Sequence, residues 1–320
     1  MILVTGASGF LGTHLLNYIR NEGFQVLGMS RSIISTNEYI YGDLLNINSL
    51  ENACKKVDTI IHCAGYAHAF KEQSSVEGKK HWEVNFLGTK NLVEAAIDQG
   101  VKKIIFISTV KVMGEKTTLK KVSEDYQDEI VSDYAKSKKA AENLLIEVSN
   151  KKLIETIILR PCMIYGIGGK GNLERLVGFI KKNKVLPIFD TKNKRSFLHI
   201  SDMCTSIIAV LTQHAESKNK IYVVCGNECL STTNLIDLIC SALNWKGINI
   251  KIPTFILKFF AFLGDSFERV FLKKTLFNSQ ILDRLTESAC YSSDKIQNEL
   301  NWKPTVNMKE GIKELVKSIK

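Results

Sequence analysis

No run in the 320 residues reaches the roughly 18 consecutive apolar positions that a membrane-spanning helix needs. Nor does any basic n-region precede the first apolar residues. Ile2-Leu3-Val4 leads straight into a glycine turn, so the chain is expected to begin inside its first strand, with no signal peptide. The eight cysteines (Cys54, Cys63, Cys162, Cys204, Cys225, Cys229, Cys240 and Cys290) contain no Cys-x-x-Cys pair. They are scattered through apolar segments, which fits buried, reduced thiols in the cytoplasm. Cys and His do not cluster with the spacing of a metal site, so no metal is expected. Charge gathered on one face is also missing. The net charge of +10 comes in dispersed pairs such as Lys79-Lys80, Lys138-Lys139 and Lys273-Lys274, without the interleaved aromatics of a nucleic-acid surface. The expected result is a lysine-rich solvated surface whose mild field favours anionic small molecules.

What is present is alternation. Short apolar runs at Met1–Thr5, Gln25–Met29, Thr59–Cys63, Lys103–Ser108 and Glu155–Leu159 read as strands. Stretches with a 3.6-residue apolar period at Gly12–Asn21, Ser49–Lys56, Trp82–Gln99 and Tyr134–Ser149 read as helices between them. This order predicts an α/β fold of the Rossmann type, a doubly wound parallel sheet, followed by a smaller and mostly helical C-terminal substrate-binding domain. Residues 1–165 would form the nucleotide-binding domain, with 196–225 returning to it through a strand at Ile221–Cys225. Residues 166–195 and 226–320 would form the second domain, with a helix at Leu173–Lys182; Ser196–Ile200, which opens the returning segment, is strand-like. The most apolar stretch, Thr254–Leu263, is too short to span a bilayer and contains Lys258; it is expected to pack as a buried cap helix, the alternative being an interfacial helix.

The turn Gly6-Ala7-Ser8-Gly9-Phe10-Leu11-Gly12 follows a strand and opens a helix. Small residues there let the backbone approach a pyrophosphate, and the helix N-terminus offers free N–H groups to it. That context marks a dinucleotide site. The tip of the second strand lacks the carboxylate that would bind a ribose 2′-hydroxyl; Ser30-Arg31 stands there instead, favouring NADP(H), with NAD(H) possible. Asp43 and Leu44 are placed to meet the adenine, and Ala64-Gly65 lets the cofactor pass closely.

Tyr134-x-x-x-Lys138 puts a phenol and an ammonium on one helix face, where the ammonium would lower the phenol's pKa for proton exchange with a carbinol or carbonyl. Ser108-Thr109 adds hydroxyls at the end of the fourth strand. With Asn85-x-x-Gly88-Thr89, Arg160-Pro161, Tyr165-Gly166, Arg195 with Phe197-Leu198-His199, and Glu299-Leu300-Asn301-Trp302, the chain resembles an extended short-chain dehydrogenase/reductase of the nucleotide-sugar epimerase/dehydratase group. The resemblance implies that Thr109 hydrogen-bonds the reacting oxygen, that Tyr134 is the acid/base, and that Lys138 also holds the nicotinamide ribose. It implies that Asn172 and Leu173 meet the substrate diphosphate, that Arg195 binds it, that Leu186-Pro187-Ile188-Phe189 lines the nucleobase, and that Arg284 supplies a further contact. A UDP-sugar substrate and a homodimer are likewise what the family implies.

Sugar-nucleotide 4,6-dehydratases of this group carry Asp-Glu directly after the Thr; here Val110 and Lys111 follow, which argues against that reaction. Two C4 chemistries are left. One is a 4-ketoreductase of a UDP-2-acetamido-2,6-dideoxy-4-hexulose, in a resemblance to enzymes of O-antigen and capsule synthesis. The other is a UDP-glucose or UDP-GlcNAc 4-epimerase with retained NAD. Ser30-Arg31 favours the reductase. Further alternatives are an epimerase of a polyprenyl-diphosphate-linked sugar at the membrane, and a non-catalytic NADP(H) sensor, against which the presence of both Tyr134 and Lys138 argues.

Overall fold

The computed structural model describes the chain apart from residues 33–36, 68–74, 115, 118–119, 170, 190–192, 213–219, 272–281, 283–285 and 320. Numbered along the chain, the main strands are β1 (Ile2–Thr5), β2 (Val26–Ser30), β3 (Tyr39–Tyr41), β4 (Thr59–His62), β5 (Lys103–Ile107), β6 (Glu155–Pro161) and β10 (Lys220–Val224). They form one parallel sheet in the order β3-β2-β1-β4-β5-β6-β10.

Alternation along each strand divides the interior in two. Ile2, Val4, Ile61, Ile105 and Ile157 point to one face. There they meet Leu15, Leu16 and Ile19 of α1 (Phe10–Asn21) and Met203, Ile207 and Val210 of α7 (Ile200–Thr212). Leu3, Ile60, Ile104, Phe106 and Ile158 point to the other. They pack on Leu50 of α2 (Ile47–Cys54), Leu92 and Ala96 of α4 (Gly88–Asp98), and Ala141 and Leu145 of α5 (Asp133–Asn150). Strands with both faces covered read as unbroken apolar runs, which is why β1, β4 and β5 were visible in the sequence.

A third core holds the smaller lobe. It joins α6 (Asn172–Lys182), α8 (Thr232–Ala242) and the C-terminal helix α11 (Met308–Ser318) through Leu173, Val177, Ile180, Leu235, Ile239, Ile312 and Leu315. Asp202 of α7 ties this end of the chain down: its buried carboxylate accepts from the Thr305 N–H (2.8 Å), the Thr305 hydroxyl (3.0 Å) and the Val306 N–H (3.2 Å).

The structure departs from the sequence expectations at several places. β3 went unseen because three residues are too few to display a period. The Trp82–Gln99 helix is instead a π-helical stretch, Trp82–Leu87, running into α4. β9 (Arg195–His199), at the expected Ser196–Ile200 strand, pairs with β7 (Met163–Tyr165) and β11 (Cys229–Leu230) in a separate three-stranded sheet, and not with the main sheet. The small lobe also contains a parallel pair, β8 (Val185–Phe189) and β12 (Ile248–Ile252). Finally, α9 (Thr254–Phe271) is not a buried cap helix: Phe255 is 70% exposed and Phe262 65%.

One ion pair fixes α5 to the sheet. Arg160 of β6 donates from Nε and Nη2 to the two carboxylate oxygens of Glu142 (3.0 and 2.8 Å), with side chains 5% and 0% exposed. Its Nη1 reaches the Glu124 carbonyl (3.2 Å), while the Glu124 carboxylate accepts from the Val223 N–H of β10 (2.7 Å). Removing one partner strands a buried charge. Arg160→Met is therefore expected to lower unfolding free energy by about 3–5 kcal/mol in chemical denaturation. Joint replacement of Arg160 and Glu142 by apolar residues is expected to recover much of that loss.

Candidate active site

Strand order reverses between β1 and β4, so their outgoing loops part and leave a crevice at the carboxyl edge of the sheet. The loop after β1 is forced into shape by what lies beside it. Gly6 has φ +66°, and a Cβ there would sit 2.7 Å from the backbone of Ala64 after β4. A Cβ on Gly12 would collide with the Gly6 carbonyl oxygen. Gly9 is the N-cap of α1, and the first helical N–H to find a partner is that of Thr13, on the Gly9 carbonyl (2.9 Å). The amides of Phe10, Leu11 and Gly12 thus face the crevice end of the helix, where an anionic pyrophosphate is favoured.

At the tip of β2, buried Ser30 lies 3.4 Å (Oγ to Oγ) from Ser8, and Arg31 is exposed. Asp43 uses one carboxylate oxygen to accept from the Leu45 N–H (3.0 Å). Leu44 is turned away from the crevice: its side chain is buried against Gly88, and its carbonyl accepts from Asn91 Nδ2 (2.9 Å).

Beneath the crevice runs a hydrogen-bond chain. The Ala64 N–H donates to Thr5 Oγ1 (3.2 Å), and the Thr5 hydroxyl donates to His62 Nδ1 (2.7 Å). His62 Nε2–H donates to Thr89 Oγ1 (3.0 Å), whose hydroxyl donates to the Asn85 carbonyl (2.6 Å). Each hydroxyl donates once and accepts once, which assigns His62 the neutral Nε2–H tautomer. Burial, reinforced by the Lys138 ammonium, pushes the His62 pKa down from 6.5 to about 3. Asn85 continues the chain. Its side chain clasps the Tyr66 backbone, accepting from the N–H (2.7 Å) and donating to the carbonyl (3.1 Å), and also reaches Ser137 Oγ (3.1 Å).

Above this base, Thr109, Tyr134 and Lys138 converge. Ser132 caps α5, accepting from the Ala135 N–H (3.4 Å), so Tyr134 lies in the first turn and Lys138 one turn later. The Thr109 hydroxyl hydrogen-bonds the Tyr134 phenol and pulls its pKa down, but burial outweighs this and pushes the phenol up to about 12. This corrects the expectation that Lys138 would lower it. Lys138 Nζ donates instead to the Ile107 carbonyl (2.8 Å) and lies 4.4 Å from the centre of the Phe106 ring; its own pKa is brought down to about 8 by burial. Gly65 leaves room beside it, since a Cβ there would sit 3.3 Å from Lys138 Nζ and 3.2 Å from Asn85 Oδ1. Ser108 Oγ is buried with no hydrogen-bond partner, a polar atom left for a ligand.

Sequence reasoning missed four residues here. His62 and His81 carried no pattern. Asn85 stood in the Asn-x-x-Gly-Thr motif but was given no role. Lys111 was noted only as a replacement, yet its Nζ lies 5.9 Å from the centre of the Tyr134 ring. His81 sits 5.6 Å ring to ring from Tyr134, pairs through Nδ1 with the Tyr66 carbonyl (3.0 Å), and leaves a buried Nε2 without a partner.

On the small-lobe side, Asn172 opens α6 after the Gly171 N-cap, whereas the Leu173 side chain is buried in the small-lobe core. His14 of α1 hydrogen-bonds the Ile167 carbonyl (2.8 Å) and links this segment to α1. Half-buried Arg195 begins β9 and bridges to Ala289. Leu186 is buried with the small-lobe core. Arg284 and Lys170 lie outside the described residues. Among the described residues no group of three or more His, Cys, Asp or Glu could hold a metal.

Comparison with known proteins bears on the crevice directly. Residues 2–225 match the model of the NAD dependent epimerase/dehydratase family. A UDP-glucose 4-epimerase from Vibrio cholerae is 30% identical over 321 residues, covering 98% of this chain and 93% of that protein. Among solved structures, RMD from Pseudomonas aeruginosa complexed with NADPH superposes with a TM-score of 0.77 at 21% identity, covering 99% of this chain and 98% of its own. MoeE5 in complex with UDP-glucuronic acid and NAD superposes with a TM-score of 0.78 at 20% identity, covering 99% and 97%.

The His62 chain has a measurable consequence. Because its folded pKa of about 3 lies below the ordinary 6.5, the unfolded chain binds a proton in that window that the folded chain refuses. The contribution is whole above pH 6.5 and is lost as pH falls toward 3. Unfolding free energy is expected to drop by about 1.4 kcal/mol per pH unit from this one group between pH 6.5 and about 5, before ordinary carboxylates titrate. His199, also held down by burial, adds to the slope. Denaturation of His62→Gln over the same range should show a lower but flatter profile; parallel profiles would refute this account.

Proposed function

The chain belongs to the NAD dependent epimerase/dehydratase family, and from that premise we propose that it moves a hydride at C4 of a UDP-hexose in the cytoplasm, as the 4-ketoreductase of a UDP-2-acetamido-2,6-dideoxy-4-hexulose in surface-polysaccharide synthesis. The observation that carries this reading is the Thr109–Tyr134 hydroxyl pair in the corner beside Lys138 and the glycine turn. The Tyr134 phenol is protonated at neutral pH, and burial moves its pKa further up from the ordinary value. A protonated phenol suits the reductive direction, in which Tyr134 gives its proton to the C4 carbonyl oxygen while Thr109 hydrogen-bonds the same oxygen. Reduction then needs no base to start.

The residues present fit a nicotinamide dinucleotide. Gly6, Gly9 and Gly12 with the amides of Phe10 and Leu11 would hold the pyrophosphate, Ser8, Ser30 and Arg31 the adenosine ribose, Asp43 the adenine, and Ala64, Gly65 and Lys138 the nicotinamide end. The bound nicotinamide supplies the hydride. An exposed guanidinium after Ser30, with no carboxylate at the β2 tip, supports a 2′-phosphate and hence NADP(H). Asn172 and Arg195 would take the substrate diphosphate. A homodimer belongs to this reading on family resemblance alone. Dehydration is disfavoured, because Val110 and the Lys111 ammonium stand where elimination would require carboxylates.

The 4-epimerase is the second reading, favoured by the identity to the Vibrio cholerae protein. Two assays on purified protein separate them. The reductase is expected to oxidise NADPH stoichiometrically with a UDP-4-keto-6-deoxy sugar. Formation of the C4 epimer from UDP-GlcNAc or UDP-glucose, with no net cofactor turnover, would overturn it. In either assay Tyr134→Phe is expected to cut turnover by about 10²–10⁴-fold. Dinucleotide binding, followed by nicotinamide fluorescence, should be unchanged.

A further inference from the structure

Helices α1 and α7 bury their apolar stripes, but α9 does the reverse. Phe255 (70% exposed), Phe259 (59%), Phe262 (65%), Leu263 (45%) and Phe267 (46%) lie on one face at helical spacing, and that face meets solvent. Among the described side-chain positions of α9, Ala261 and Gly264, on the other side of the helix, are buried. The strand pair that leads into α9 also exposes apolar side chains. In the parallel pair β8/β12, Ile248 is 67% exposed and Ile250 51%, and Val185, in register with Ile248, is 48% exposed. Aromatic and branched apolar side chains are thus exposed on both α9 and β12, which Pro253 alone separates in the chain.

Lysine outnumbers acidic residues around these elements. From Leu238 to Gly264 the sequence contains no Asp or Glu but has Lys246, Lys251 and Lys258, and the acidic residues of α9 are Asp265 and Glu268 near its C-terminal end. Lys246 and Lys258 are exposed, as are Lys182 and Lys184, which precede β8. An exposed aromatic face with a local excess of lysine is matched by a sheet of anionic headgroups over hydrocarbon. There the phenylalanines enter the acyl boundary and the lysines stay at the phosphate level. Among the described residues no helix is long and apolar enough to cross a membrane, so the helix would lie in the interface plane. We propose that the aromatic face of α9, together with the outward face of β8/β12, docks this enzyme on an anionic lipid bilayer. The proposal holds for either C4 reaction and does not rest on the choice between them.

The test is co-sedimentation of the full-length protein with vesicles of phosphatidylglycerol and phosphatidylcholine, against vesicles of phosphatidylcholine alone. Binding is expected to the first and to be weakened at high salt. Phe255→Ser/Phe262→Ser is expected to lower partitioning at least about tenfold, and Lys246→Glu/Lys258→Glu to abolish the preference for anionic lipid. Both variants should keep dinucleotide binding and far-ultraviolet circular dichroism. Wild-type protein that stays in the supernatant would overturn the proposal, as would variants that bind vesicles equally well. So would an oligomer in solution that the phenylalanine variant splits, because the face would then be a contact between copies of the chain. If the serine variant misfolds, the lipid-composition and salt comparisons on wild-type protein still decide.

Discussion

The crevice depends on how closely the turn after β1 approaches the end of β4. Gly6 can reach the Ala64 backbone only because it has no Cβ and takes a positive φ. The approach is held from below by the Ala64–Thr5–His62–Thr89–Asn85 chain of hydrogen bonds. That chain is buried, so every donor in it must be matched, and it tolerates one protonation state of His62. It crosses from β1 to β4 to the helix behind, at the place where the strand order reverses. The geometry of a phosphate-binding turn is thereby coupled to the core of the sheet.

The same chain reaches the chemistry. Asn85 passes it to Ser137, one residue before Lys138, and to the Tyr66 backbone that His81 also holds. The π-helical stretch at Trp82–Leu87 carries both His81's neighbour and Asn85, and π-bulges inside helices are often found at functional sites. Burial dominates the electrostatics of this corner. It raises the Tyr134 phenol, lowers the Lys138 ammonium and lowers the His62 imidazole, so each group is driven toward its neutral form. The Arg160–Glu142 pair holds α5, which carries Tyr134 and Lys138, in register with β6.

The two lobes answer different demands. The sheet lobe is close-packed on both faces, and its surface is ordinary. The small lobe carries the segment that opens α6, the strand that begins with Arg195, and α9, which turns Phe255, Phe259 and Phe262 outward. In the proposed reading, substrate recognition and membrane docking therefore fall on the same lobe, while the Thr109–Tyr134–Lys138 corner is built by the other.

The sequence by itself determined the parallel sheet, because buried strands are written as apolar runs and the helices between them keep a strict period. It also located the glycine turn and the Tyr134–Lys138 spacing, since both are local geometries that need particular residue types at fixed offsets. Tertiary structure alone decided the rest. Whether Lys138 tunes Tyr134 depends on where its Nζ finds an acceptor, and the Ile107 carbonyl belongs to β5, 31 residues away in the chain. The role of His62 depends on hydroxyls 57 and 27 residues away. Leu44 and Leu173 turn their side chains into cores that residues distant in sequence complete. And the apolar Thr254–Leu263 run has the same composition whether it faces in or out; only packing shows that Ala261 and Gly264 are buried while Phe255, Phe259 and Phe262 stand outside.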